Sequence, residues 1–295
     1  MSDGVASLAG VAAATLEEVV FEAELGPIAG LRSRTAGGAR VLALHGWLDN
    51  AASFVPLAAH LRGLDLVMLD LPGHGRSAHL PSGADYNLMV TTNAVLDVAD
   101  ALGWERFALL GHSMGAGIGS MLAAALPQRV SRLLAIEALG SLTDTAERTA
   151  TRLREGVAAA RQLATKKLRV FPDLAAPIRA RMQSNQLSEP SARLLVERGV
   201  RKVDGGYVWS SDPRLTLPSL QRLTEDQVRD LIAGIGCPTQ VIFADPPQVY
   251  LPEPLRSERA RLLPHGTLEI IEGTHHLHME QPQAVAAAIG DFLLD

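Results

Sequence analysis

Residues 111–115 read Gly-His-Ser-Met-Gly, and their setting constrains the chain more than any other feature. An apolar run over 106–111 precedes them. A small-residue stretch over 114–126 follows, until Pro127 stops it. This is the pattern of a strand entering a sharp turn into a helix. Glycines on both sides let neighbouring backbone approach closely and leave the serine hydroxyl exposed. The helix start adds unpaired N–H groups and positive potential beside that hydroxyl. The plain alternative is a Gly-rich turn with an incidental serine, and the strand and helix on either side count against it. Ser113 is therefore the candidate nucleophile.

The rest of the chain alternates strand and helix. Short apolar runs at 41–45, 64–70, 106–111, 132–136, 239–243 and 267–271 read as buried strands, and 16–23 with 30–35 as an opening antiparallel pair. Helical spacing falls at 92–102, 114–126, 224–233 and 284–294. Such alternation predicts an α/β fold with a mostly parallel eight-stranded sheet covered by helices on both faces. With 295 residues, 47% of them apolar, a large core is attainable. Residues 141–218 break the rhythm, being Arg-rich, Ala-rich and helical with few strand candidates. They read as a helical cap inserted into a core domain made of 1–140 and 219–295. The plain alternative is a surface excursion without a role, but an insertion beside the active-site edge more often shapes a pocket.

Charge and cysteine usage narrow the partners. The formal net charge is −5, and no dense Lys/Arg cluster points to nucleic acid or an acidic membrane. Cys237 is the single cysteine, so no internal disulfide can form, which fits a reducing compartment. The N-terminus lacks the basic region of a signal peptide, and no apolar run reaches the roughly 18 residues of a membrane span. A soluble cytoplasmic protein acting on a small molecule is expected, and homo-oligomer formation stays open.

A serine nucleophile needs a base and an oxyanion site. His45-Gly46-Trp47 ends an earlier strand, and the backbone N–H groups of Met114 and Trp47 are the expected oxyanion donors. His45 reads as a buried histidine holding its loop. The segment 274–282, Thr-His-His-Leu-His-Met-Glu-Gln-Pro, follows the last strand, where the base belongs in the order serine, acid, histidine. His275 comes first after that strand. His276 and His278 read as packing residues, because the cluster lacks an established zinc spacing; no metal and no cofactor is expected. His74 has a lesser claim to line the pocket. Trp47, Tyr207 and Trp209 are candidate pocket aromatics, with ordinary core packing as the alternative.

Three blocks carry a resemblance: residues 45–54 (His-Gly-Trp-Leu-Asp-Asn-Ala-Ala-Ser-Phe), residues 70–77 (Asp-Leu-Pro-Gly-His-Gly-Arg-Ser), and Gly205-Gly206-Tyr207-Val208-Trp209 followed by Asp212-Pro213-Arg214. Over nearly its whole length the chain resembles the α/β-hydrolase superfamily, and within it most resembles the serine hydrolase-like proteins. The superfamily's closing pattern falls on His275, Glu280 and Pro282, with Thr274 where glycine is usual. The resemblance commonly implies an acid in the loop after strand 239–243. That loop reads Ala244-Asp245-Pro246-Pro247, which leaves Asp245 off register. The other placement, as in haloalkane dehalogenases, falls on Glu137 after strand 132–136. An acid ending an apolar strand is costly to bury without a partner, and histidine would supply one. Glu137 is preferred, and Asp245 is the alternative. The alternatives for these two are an ion pair with a cap arginine and a turn-forming Asp before proline.

The expected function is hydrolysis of a small carboxylic ester through an acyl-enzyme. A thioesterase, lactonase, carbon–carbon hydrolase or perhydrolase would use the same residues, and a non-catalytic ligand-binding protein could keep the scaffold. Haloalkane dehalogenases and epoxide hydrolases use an Asp nucleophile, and position 113 is serine.

Overall fold

A computed structural model describes residues 16–163 and 168–294. Eight strands form one sheet: β1 (Leu16–Phe21), β2 (Ile28–Arg34), β3 (Ala39–Leu44), β4 (Leu64–Leu69), β5 (Phe107–His112), β6 (Val130–Ile136), β9 (Thr239–Asp245) and β10 (Gly266–Glu272). Between β6 and β9 in the chain, β7 (Val200–Val203) and β8 (Gly206–Trp209) form a separate hairpin. The sheet order is β1-β2-β4-β3-β5-β6-β9-β10. β1 and β2 pair antiparallel, as do β2 and β4, and every other neighbour in the sheet is parallel.

The central strands are apolar because both of their faces are covered. Leu42, Leu44, Leu109, Leu133, Ala135, Val241 and Phe243 face one core. Their alternates Val41, Ala43, Ala108, Leu110, Leu134, Ile136 and Ile242 face the other. This period of two is that of a strand between two layers. The helices Leu88–Ala101, Met114–Ala125 and Glu225–Ala233 pack on the first face. The short helix Val55–Ala58 and the last helix, Pro282–Ile289, pack on the second.

β3 has β4 on one side and β5 on the other, so the winding direction reverses there. A crevice opens beyond the carboxyl ends of the strands at such a point. The turns after β3, β5, β6, β9 and β10 all meet at that edge.

Two helix boundaries differ from the sequence reading. The helix expected from 92 begins at Leu88, because the Asn87 side chain accepts from Val90 N–H and caps it. The last helix stops at Ile289, where Gly290 takes φ +51°. Residues 141–218 hold the helices Thr149–Leu163, Ala175–Asn185 and Glu189–Gly199, together with the β7–β8 hairpin that the sequence reading did not expect. Asp204-Gly205 is a two-residue hairpin signal, with Gly205 and Gly206 both at positive φ.

Candidate active site

β5 delivers Ser113 to the start of the helix Met114–Ala125. Ser113 has φ +51° and ψ −114°, a region costly for a residue with a side chain, and it is partly exposed. Its N–H donates to the Ile136 carbonyl (2.8 Å), and its carbonyl accepts from Ala116 and Gly117 N–H. The flanking glycines are required by contact. A Cβ at Gly111 would overlap Ala116 backbone, and one at Gly115 would overlap the Leu44 carbonyl oxygen. The turn is thereby pressed against the end of β3, which brings the His45-Gly46-Trp47 loop beside it.

His45 is fully buried. Its Nε2 accepts from Leu71 N–H (3.0 Å), so Nδ1 carries the proton and donates to the Gly46 carbonyl (2.7 Å). Burial pushes its pKa down to about 4, so it stays a neutral tie between two loops. His74 packs against it at 4.9 Å between ring centroids. It too is buried, its pKa lowered to about 3 chiefly by burial, so it lies beneath the surface rather than lining a pocket. Trp47 is half exposed and donates Nε1–H to the Leu215 carbonyl (2.8 Å).

Glu137 follows β6 at φ +62° and is 2% exposed. One carboxylate oxygen accepts from Ala244 N–H (2.5 Å) and the other meets His275 Nδ1 at 2.9 Å. His275 follows β10 and is partly exposed. Asp245 lies apart at the end of β9, exposed, its nearest cation Arg256 at 3.9 Å. Of the two acids weighed in the sequence, Glu137 is the one that meets His275.

Tyr250 was not foreseen. It sits in the loop after β9 with its hydroxyl 3.0 Å from His275 Nδ1 and 3.2 Å from Nε2. Nδ1 is engaged by Glu137, so the free lone pair for the phenol is that of Nε2. Burial and the Glu137 charge raise the phenol pKa, the Ser113 contact lowering it by less, so it remains a neutral donor. An isolated aromatic in a proline-rich loop left no periodic signal from which its position could be read.

A model of the α/β hydrolase fold matches residues 39–282. The chain belongs to the α/β-hydrolase family. It is 32% identical to a serine hydrolase-like protein of Danio rerio, over 87% of this chain and 82% of that one. It is 31% identical to the human serine hydrolase-like protein 2, over 94% of each. A crystal structure of a hypothetical protein from Pseudomonas aeruginosa PAO1 is 40% identical, with a TM-score of 0.88 over 94% of this chain and 99% of that one. Within the family, the chain is most like the serine hydrolase-like proteins.

Behind the nucleophile turn of this α/β hydrolase lies a second polar cluster, fully enclosed. Asp49, His112, His276 and His278 are all buried. His276 Nε2 is 3.1 Å from Asp49 Oδ2, and Arg181 holds Oδ1 at 3.2 Å. Burial opposes ionisation of Asp49, but His276, Arg181 and His112 together hold its carboxyl well below the usual range. Burial and the neighbouring histidines push the pKa of His112 far down. The donor atoms of Asp49, His112 and His276 lie within 4.8 Å of one another, so among the described residues this trio could hold a metal ion.

The third family block is a clamp. Asp212 is buried and forks with Arg214, whose guanidinium also donates to the carbonyls of Leu80 (2.5 Å), Pro81 (2.9 Å) and Ala84 (3.0 Å); Tyr86 O–H donates to Asp212 (2.8 Å). Tyr207 and Trp209 lie on β8, where Trp209 packs edge-on to Phe171. Cys237 is buried, and burial raises its thiol pKa. Among the described residues no helix is long and apolar enough to cross a membrane.

Proposed function

We propose that this chain is a serine hydrolase of small carboxylic esters, with Ser113 as nucleophile, His275 as base and Glu137 as the acid that orients it. The observation that carries the reading is the 2.9 Å contact between His275 Nδ1 and Glu137, beside a serine held at positive φ. Nδ1–H donated to Glu137 leaves Nε2 as the proton acceptor. His275 takes the Ser113 Oγ proton as Oγ attacks the ester carbonyl, and Glu137 stabilises the imidazolium that forms. The Met114 and Trp47 N–H groups receive the oxyanion. The proton passes to the leaving alcohol, and water activated by His275 then cleaves the acyl-enzyme.

In this reading residues 141–218 form a cap over the site. Its links to the core support that role: Asn50 Nδ2 to Leu195 carbonyl, Trp47 Nε1 to Leu215 carbonyl, and Arg181 to Asp49 and the Leu48 carbonyl end on the loop after β3, and Ser188 to Glu280 ends on the short helix Leu277–Glu280.

The test is turnover of short p-nitrophenyl esters together with time-dependent inactivation by a fluorophosphonate. The adduct is expected on Ser113 and should vanish in Ser113→Ala. Labelling that persists unchanged in that variant, or wild-type protein that neither turns over esters nor labels, overturns the reading. A panel of thioesters and lactones run alongside separates the related acyl-transfer activities.

A further inference from the structure

We propose that Asp49, His112 and His276 form a buried binding site for a divalent transition metal of the Zn²⁺ type, separate from the groups assigned to ester hydrolysis. The three residues come from the loop after β3, the end of β5 and the loop after β10.

The decisive atom is His112 Nδ1. His112 Nε2 lies 2.8 Å from the carbonyl oxygen of His275, which can only accept, so Nε2 carries the proton and Nδ1 is a bare lone pair. Among the described residues that lone pair has no hydrogen-bond partner, and the ring is completely buried. It faces Asp49 Oδ2 at 3.9 Å, and that oxygen belongs to a carboxylate. Two buried electron-pair donors thus confront each other with no proton between them. Buried polar atoms in native proteins are seldom left this way. A cation between them removes the conflict.

The dimensions suit a transition metal. Bonds of about 2.0–2.1 Å in a tetrahedral shell put ligand atoms about 3.4 Å apart. Two of the three separations, 3.1 Å from Asp49 Oδ2 to His276 Nε2 and 3.9 Å to His112 Nδ1, bracket that value, and all three donor atoms lie within 4.8 Å of one another. Two imidazoles and one carboxylate oxygen are a donor set that favours zinc and its neighbours over magnesium or calcium. Position 46 is glycine, and a Cβ there would stand 2.9 Å from His112 Nδ1 and 3.2 Å from Asp49 Oδ2, crowding the gap. Arg181 occupies Oδ1 and leaves Oδ2 as a single ligating oxygen. Its charge also weakens the site, so micromolar rather than nanomolar affinity is expected. Binding requires the His276 proton to sit on Nδ1, which has no other partner among the described residues, so that the neutral ring ligates through Nε2.

Residues 274–282 have no zinc spacing of their own, which is why the sequence alone points away from a metal. The folded chain supplies the other two donors from distant segments.

The experiment uses tag-free full-length protein, stripped with a chelator and dialysed, then titrated with Zn²⁺ against a chromophoric chelator. One site per chain is expected. Asp49→Asn and His276→Gln should each weaken it by more than about 100-fold, beyond what loss of a supporting group around a metal costs. X-ray absorption of the zinc-loaded wild type should show two imidazoles and oxygen ligation. Wild-type protein without a stoichiometric site, binding that survives both substitutions, or an absorption spectrum with no imidazole shell overturns the proposal. The wild-type titration and spectrum decide it even where a variant does not fold. Ester turnover enters none of these readouts, so the proposal stands or falls apart from the proposed activity.

Discussion

At the scale of single residues, the arrangement around His275 makes the two acids separable. Glu137→Gln keeps the shape of the side chain but no longer fixes the Nδ1–H tautomer. It should lower kcat/KM for a p-nitrophenyl ester by about 10³–10⁴-fold, while Asp245→Asn should stay close to wild type. The reverse pattern would move the acid to Asp245. Tyr250 makes a subtler claim. Its hydroxyl lies against the same Nε2 lone pair that accepts the Ser113 proton in the proposed mechanism. A neutral hydrogen bond is worth about 0.5–1.5 kcal/mol, so Tyr250→Phe should speed inactivation by a fluorophosphonate by up to about tenfold; slower inactivation would mean that the phenol assists attack. Ser113 and His275 were legible in the sequence because their order and flanking elements are local. Glu137 was legible only as one of two acids, since the choice depends on which loop reaches His275. Tyr250 and the pairing of Asp49 with His112 and His276 depend on segments far apart in the chain, and no spacing rule reaches them.

The turn around Ser113 holds its shape because two glycines admit backbone where a Cβ would collide. Gly115→Ala would drive a methyl into the Leu44 carbonyl at the end of β3, a backbone atom that cannot rotate aside as a side chain can. A loss of about 1–3 kcal/mol or more is expected from urea unfolding. Gly119→Ala on the same helix meets side chains, Leu133 at 2.9 Å and Leu109 at 3.9 Å, and should cost clearly less. Equal losses would show that the turn tolerates a side chain. Strand and helix positions were readable from the sequence because burial on both faces leaves uninterrupted apolar runs. The β7–β8 hairpin was not. Its four-residue strands are only partly buried, and the Arg-rich sequence around them has the composition of a solvated helix. The informative signal was the Asp204-Gly205 turn rather than any periodicity.

For the molecule as a whole, the question is how residues 141–218 ride on the sheet. The deepest link is Arg198. Its Nε contacts both oxygens of Asp70 at 2.9 and 3.0 Å, and Nη1 reaches Glu18 at 2.8 Å. Asp70 is completely buried and also accepts from Ala51 and Arg76 N–H, so it gathers β4, the loop after β3 and the helix Glu189–Gly199 at one point. The hydrogen bonds from Arg181, Asn50 and Trp47 lie on the same side. A segment fastened through buried charge is held in place rather than swinging freely over the edge of the sheet. Arg198→Gln would leave Asp70 without its cation, and breaking a buried pair costs about 3–5 kcal/mol. If the cost is taken by this segment alone, amide exchange in 189–199 should accelerate by about a hundredfold or more, at about 1.4 kcal/mol per decade, while β5 and β6 keep their protection. Exchange that rises equally in β5 and β6 would mean that segment and sheet open as one unit. No change in 189–199 would mean that Arg198 does not fasten it.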